Sequence, residues 1–166
     1  KNKNNINTVY GQNNVKSLLY SNIKHHIITI FVLEENKHLL DNEISQKLVD
    51  YDVQYCDKHT FLHKFPKKHT QGIAVNFIFN YSELCLDNLD SNVCFIILDE
   101  INDPQNLGQI IRTCECAGIN GIILPRHKSV HITNSVLQVS QGSSFNINIH
   151  IVSNLNSTIS ELKKLN

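Results

Sequence analysis

The sequence predicts an α/β protein in two successive units, the second built on a parallel sheet. Three observations carry this. Short runs rich in β-branched residues, such as IITIFVL (27–33), GIAVNFIF (72–79) and CFIIL (94–98), alternate with segments whose apolar residues recur at helical spacing. From residue 93 onward, strand and helix patterns alternate at βαβ spacing, which predicts parallel strands joined by right-handed crossovers. Between the regular regions lies NYSELCLDNLDSN (80–92), polar, uneven and slightly acidic. The expected boundaries are therefore 1–80, a linker over 81–92, and 93–166.

In the first unit a polar leader precedes YGQNNVKSLLYSNI, where Val15, Leu18, Leu19 and Ile23 have helical spacing. IITIFVL then reads as a buried strand. Leu39, Leu40, Ile44 and Leu48 suggest a second helix, VQYC (53–56) a short strand, KHTFLHKF (58–65) a short helix and GIAVNFIF a further strand. The second unit is expected as strand 93–99, placed centrally in its sheet, helix 106–117, strand 121–125, helix 133–141, strand 147–152 and helix 157–165. Thr158 and Glu161 in TISE could form a capping box for that last helix.

Composition narrows the function classes. The 166 residues are 41% hydrophobic, enough for a core, and their 15 basic and 15 acidic side chains cancel. Any nucleic-acid contact must then come from local patches. No run approaches the ~18 apolar residues of a membrane span and no signal-peptide pattern opens the chain, so no membrane partner and a cytoplasmic location are expected. The absence of Met suggests a chain that begins inside a longer gene product. Cys56, Cys85, Cys94, Cys114 and Cys116 are odd in number and scattered, unlike a disulfide framework. Cys114 and Cys116 would point about 200° apart on a helix, too far to share an ion, so reduced structural thiols are expected. His59, His63 and His69 near Cys56 fall short of a zinc site for want of further ligands, and no metal is expected. Lys58, Lys64, Lys67 and Lys68 in the same stretch form either a solvated basic face or an RNA-phosphate patch. Arg126 and Lys128 make a second basic site beyond strand 121–125.

The most informative stretch is LDEINDPQNLGQIIRTCECAG (98–118), where a strand passes through a polar bend into a helix. Leu107, Ile110, Ile111, Cys114 and Ala117 make an apolar stripe, leaving Arg112 and Glu115 on the other side. Asp103 before Pro104 suits an N-cap, and Asn106 is an equally good cap for a later start. Gly108 leaves room for a ligand or another backbone. The bend lies at the carboxyl end of a parallel strand, where open α/β sheets bind ligands and a helix N-terminus favours anions. An arginine on a polar helix face is ordinarily just solvated; its placement makes Arg112 a candidate.

With those residues in view, LDEINDPQNLGQIIRTCECAGINGIILP resembles the first signature motif of the SpoU (TrmH-like) RNA ribose 2′-O-methyltransferases. Asp103, Pro104, Asn106, Gly108, Arg112, Thr113, Ala117 and Gly118 match it, with Cys114 in place of the usual Ala. VYGQNNVKSLL (9–19) and HTQGIAV (69–75) resemble the amino-terminal substrate-binding domain of the branch that modifies a guanosine of large-subunit ribosomal RNA. VSQGSSFNINIHIV departs from the family pattern, with Ser143 for Ala and Phe145 for Glu.

The resemblance implies a small α/β substrate-binding domain followed by the first half of a SPOUT-type, knotted methyltransferase domain. It implies S-adenosylmethionine-dependent 2′-O-methylation of an RNA ribose, most simply a guanosine of 23S-type ribosomal RNA. Arg112 would grip phosphate and stabilise developing charge, Asn106 would organise the bend, and Lys64, Lys67, Lys68 and Arg126 would contact RNA. The second and third family motifs, which hold the methyl donor, are not found before Asn166, so the donor site is expected beyond it, the chain is expected to be truncated, and the fragment alone is expected to be inactive. A homodimer is implied for the full-length protein. The alternatives are a tRNA ribose methyltransferase of the same family and a non-enzymatic RNA-binding protein. An unrelated nucleotide-binding domain ranks last, because no G-x-G-x-x-G or GK[ST] loop occurs.

Overall fold

The β-branched runs form the strands expected of them. The computed structural model describes residues 6–66, 69–87, 89 and 92–165, and its internal contacts divide the chain into Lys1–Asn80 and Tyr81–Asn166. In the first unit, β2 (His26–Leu33) pairs in parallel with β3 (Val53–Cys56) and antiparallel with β4 (Ile73–Ile78). Ile30, Val32, Ile73, Val75 and Phe77 lose all their exposed surface there. Around the strands run α1 (Gln12–Leu19), α2 (Asn42–Lys47) and α3 (Lys58–Lys64).

Three expectations fail in this unit. Helix α1 stops at Leu19, so Ile23, expected on it, lies in the bend that follows, where Ser21 Oγ donates to Ile23 O at 2.9 Å. The polar leader contains a strand, β1 (Ile6–Tyr10), which pairs with β4 and gives the order β1-β4-β2-β3. Its threonine is satisfied inside the sheet: Thr8 Oγ1 donates to Asn76 Oδ1 across the strands at 2.8 Å. The expected helix over Leu39–Leu48 is broken. A 3-10 turn (Glu34–Leu39), α2 and another 3-10 turn (Leu48–Asp50) replace it. Leu40 and Asp41 are not helical, and Asp41 instead caps α2 by accepting from Glu43 N at 2.8 Å.

The second unit holds β5 (Phe95–Ile97), β6 (Gly121–Pro125) and β7 (Asn148–Val152), all parallel in that order. The expectation of a central strand 93–99 fails: among the described residues β5 lies at an edge and is short. The central place belongs to β6, whose five residues are all buried, whereas every residue of β5 is half-buried. The helices are α4 (Pro104–Cys116), α5 (Asn134–Val139) and α6 (Leu155–Leu162). No capping box opens α6: Asn154 caps it from Ser157 N at 3.0 Å, and Thr158 lies buried inside the helix. Tyr81 and Ser82 are tied into this unit, Ser82 N donating to Ile149 O at 2.9 Å and Ile132 N to the Tyr81 hydroxyl at 3.0 Å. Among the described residues no helix is long and apolar enough to cross a membrane.

Candidate active site

The polar bend becomes a capped helix. Asp103 Oδ1 accepts from Gln105 N at 2.9 Å and Pro104 takes the first helical position, so Asp103 is the cap and Asn106 lies exposed in the first turn. The other end closes through Gly118 at φ 72°, with Ile119 N donating to Cys114 O at 3.0 Å and Gly118 N to Glu115 O at 3.1 Å. That Schellman geometry turns the chain straight into β6.

The buried side of α4 is narrower than the apolar pattern suggested. Leu107, Gly108, Ile111 and Cys114 are buried, Ile110 is half-buried and Ala117 is exposed. Gly108 makes room for α5 rather than for a ligand. A Cβ there would lie 2.7 Å from Val139 Cβ and Cγ1 and 3.1 Å from Val136 O. Glu115, expected on the outer face, is half-buried, and Ser143 Oγ donates to its Oε2 at 3.5 Å. Arg112 is therefore the charged residue on the exposed face, among exposed Gln105, Gln109, Thr113 and Cys116. Helix geometry separates it from Asn106 by about 9 Å along the axis and about 120° around it. The two share a helix but not a face, and a ligand held by both would have to wrap across Gln109.

The carboxyl ends of the strands are knitted together. Leu98 N donates to Ile123 O at 3.0 Å, Arg126 N to Val152 O at 2.8 Å and Val130 N to Ile101 O at 2.7 Å. Two non-glycine residues there adopt left-handed backbones, Glu100 at φ 54° and Lys128 at φ 60°, and their side chains meet at 3.8 Å. Such conformations are uncommon outside glycine, Asn and Asp, and collect at functional sites. Ser129 Oγ is buried beside them with no hydrogen-bond partner among the described residues, capacity that a polar ligand could satisfy. Arg126 is exposed on the same loop. Sequence reasoning missed Glu100, since nothing in LDEIN demands a left-handed backbone.

Other candidates resolve into structure. In the SQGSS loop, Gln141 and Gly142 turn at φ 50° and 94°, Ser140 Oγ meets Ser144 Oγ at 2.7 Å, and Phe145 is fully buried. Apolar Phe145 thus fills core space at the position where the resembled pattern has Glu. His150 is buried, its Nδ1 3.0 Å from Ser82 O and its ring edge-on to Phe95, and burial holds its pKa below the usual histidine value. In the first unit Cys56 packs with Phe31, Leu33, Phe61 and Ala74, while His59 and His63 are exposed. Among the described residues no three metal-binding side chains cluster. Lys64 is exposed with its ammonium 5.1 Å above the Phe31 ring, and Lys58 is exposed at the other end of α3. Lys67 and Lys68 lie outside the described residues.

Comparison with known proteins adds independent findings. Residues 94–166 match the model of the SpoU rRNA Methylase family. The chain is 30% identical over 162 residues to the 23S rRNA (guanosine-2′-O-)-methyltransferase RlmB of Haemophilus ducreyi, covering 93% of this chain and 65% of that protein. It is 29% identical over 168 residues to the RlmB of Blochmanniella floridana, covering 95% of this chain and 65% of the relative. Its fold matches an AdoMet-bound rRNA methyltransferase from Sinorhizobium meliloti at TM-score 0.74 and 22% identity, over 96% of this chain and 59% of that one. The chain thus spans about two thirds or less of the length of these proteins.

Proposed function

We propose, from the match of residues 94–166 to the SpoU rRNA Methylase family model, that the second unit is a member of that family and that the protein methylates a ribose 2′-hydroxyl of RNA, with S-adenosylmethionine as donor and a guanosine of large-subunit ribosomal RNA as target. The observation that carries the reading is α4 itself. Its inner face is locked against α5 through Gly108, and its outer face offers one guanidinium, Arg112, to solvent.

Methylation of a ribose hydroxyl needs the nucleotide held, the oxygen made nucleophilic and its proton accepted. The donor supplies an electrophilic methyl group on a sulfonium sulfur. Arg112 suits the first two tasks: its planar fork grips phosphate oxygens through paired hydrogen bonds, and its positive charge offsets charge growing on the hydroxyl oxygen. With the donor bound, the phosphate held by Arg112, or water, would accept the proton that the hydroxyl gives up. Asn106 presents an amide in the exposed first turn, where free backbone N–H groups also favour an anion. Arg126, Lys64, Lys67 and Lys68 would hold further phosphates, contributing affinity that falls with salt. No residue of this chain is assigned to the donor. The protein would act on RNA in the cytoplasm, as a homodimer.

The experiment, on the full-length protein, is methyl transfer from radiolabelled S-adenosylmethionine to ribosomal RNA, comparing Arg112→Lys with Arg112→Ala. Lysine keeps the charge but loses the fork, so both variants should fall at least tenfold. Full activity in either removes Arg112 from the mechanism. Transfer to tRNA in place of ribosomal RNA would correct the substrate while leaving the chemistry standing.

A further inference from the structure

We infer that Glu100 is an internal competitor for RNA: its carboxylate holds Lys128 in the free protein, and an RNA phosphate takes that ammonium over on binding. The inference rests on the RNA reading above and adds a contest within the chain. Glu100 Oε1 and Lys128 Nζ lie 3.8 Å apart, with side chains 61% and 81% exposed. A pair so open and so long contributes little to folding. Yet both residues are held at positive φ, a conformation Glu and Lys rarely adopt. The surrounding bonds impose that conformation. Asn102 Nδ2 donates to Glu100 O at 2.9 Å, and Val130 N ties the Lys128 loop to Ile101 O at 2.7 Å. The fold therefore presents two opposed charges at the carboxyl edge of the sheet without gaining much stability from their attraction.

The chemistry favours exchange. The Glu100 loop also carries Asp99 and Asp103, and the facing loop carries Arg126 and Lys128, so the edge is divided between opposite charges. Arg126 is exposed and makes no ion pair among the described residues. A phosphodiester can accept from Lys128 and Arg126 together, adding the bidentate contact that arginine makes well with phosphate. Glu100 would then act as a positioning residue, setting where Lys128 waits and how strong a phosphate contact must be to release it. RNA that places no phosphate at this edge would leave the pair closed.

The test is fluorescence anisotropy with a labelled 20-nucleotide RNA hairpin at low salt, on the unsubstituted chain, Glu100→Gln, Asp99→Asn, Lys128→Met and the Glu100→Gln/Lys128→Met pair. Thermal melts followed by circular dichroism check that each variant folds. Glu100→Gln should tighten binding roughly two- to fivefold, the scale of an exposed ion pair. Asp99→Asn, an equal charge change next door, should do less, and in the Lys128→Met background the Glu100 substitution should have no effect. Equal gains from Asp99→Asn, or a Glu100 effect that survives the loss of Lys128, would mean bulk charge alone is at work and would overturn the inference. RNA binding by the unsubstituted chain with no change in Glu100→Gln overturns the competition but leaves the RNA reading intact. Absence of binding by every protein overturns both.

Discussion

Replacing Gly108 by Ala sets two opposed effects against each other, so the sign of the result is decisive. In a free helix Ala is favoured over Gly by about 1 kcal/mol. At this site the new Cβ would meet Val139 Cβ and Cγ1 at 2.7 Å and Val136 O at 3.1 Å. Carbon atoms pack best at about 3.5–4.0 Å, so α4 and α5 would have to separate by roughly 1 Å. The obstacles are a backbone carbonyl and a Cβ joined directly to the backbone, and neither can rotate away as a long side chain would. Overpacking of this kind costs about 1–3 kcal/mol. The net expectation is a loss of about 1 kcal/mol, or about 4–8 °C in Tm for a unit of this size. Thermal unfolding followed by circular dichroism measures it. Val139→Ala removes Cγ1, so in that background Gly108→Ala should cost less. A Gly108→Ala protein more stable than the original would show helix preference acting alone. The close α4–α5 contact, and with it the fixed placement of the Arg112 face, would then be refuted.

Arg112→Ala should leave the melting curve almost unchanged, within ~0.5 kcal/mol, because the side chain lies on the exposed face; a large loss would assign it a structural role. His25, held to a pKa of about 4 by burial against Phe77 and Phe79, should still be neutral at pH 5 in an NMR titration, and a midpoint near the ordinary 6.5 would contradict its packing. Its folded pKa lies below the unfolded one, so the unfolded chain binds more protons between them: the first unit should lose stability as pH falls from about 6.5 toward 4 and be unaffected by this group above that window. Under native conditions a thiol reagent should label Cys85, Cys94 and Cys116 quickly, and Cys56 and Cys114 only on unfolding. Burial also raises the Cys114 thiol pKa, so labelling of Cys114 as fast as Cys116 would contradict its place on the buried face of α4.

What could be read from the sequence follows from where the deciding interactions lie. Runs such as IITIFVL and GIILP are legible on their own, since β-branched apolar residues have few places to go except a buried strand. INTVY is not, because the partner that satisfies Thr8 is Asn76, 68 positions away. CFIIL and GIILP are equally apolar, so which of them sits centrally depends on which strands flank it, and periodicity holds no such information. Asp103 and Asn106 are equal as caps until Pro104 takes the first helical position, which the structure decides for Asp103. At the candidate site, Arg112 and Asn106 could be found because their spacing is fixed along one helix. Glu100 could not, because its left-handed backbone is imposed by Asn102 and by the Lys128 loop. Gly108 signalled a close approach, but its partner Val139 comes from another helix.

The proposed methylation of a ribose oxygen of ribosomal RNA is tested most directly by nuclease digestion and mass spectrometry of ribosomal RNA treated with the full-length protein and deuterium-labelled S-adenosylmethionine. Label is expected on the 2′-oxygen of a guanosine, rendering the adjoining phosphodiester resistant to alkali, and it should disappear with Arg112→Ala. Label on a base, or label that persists without Arg112, would contradict the claim.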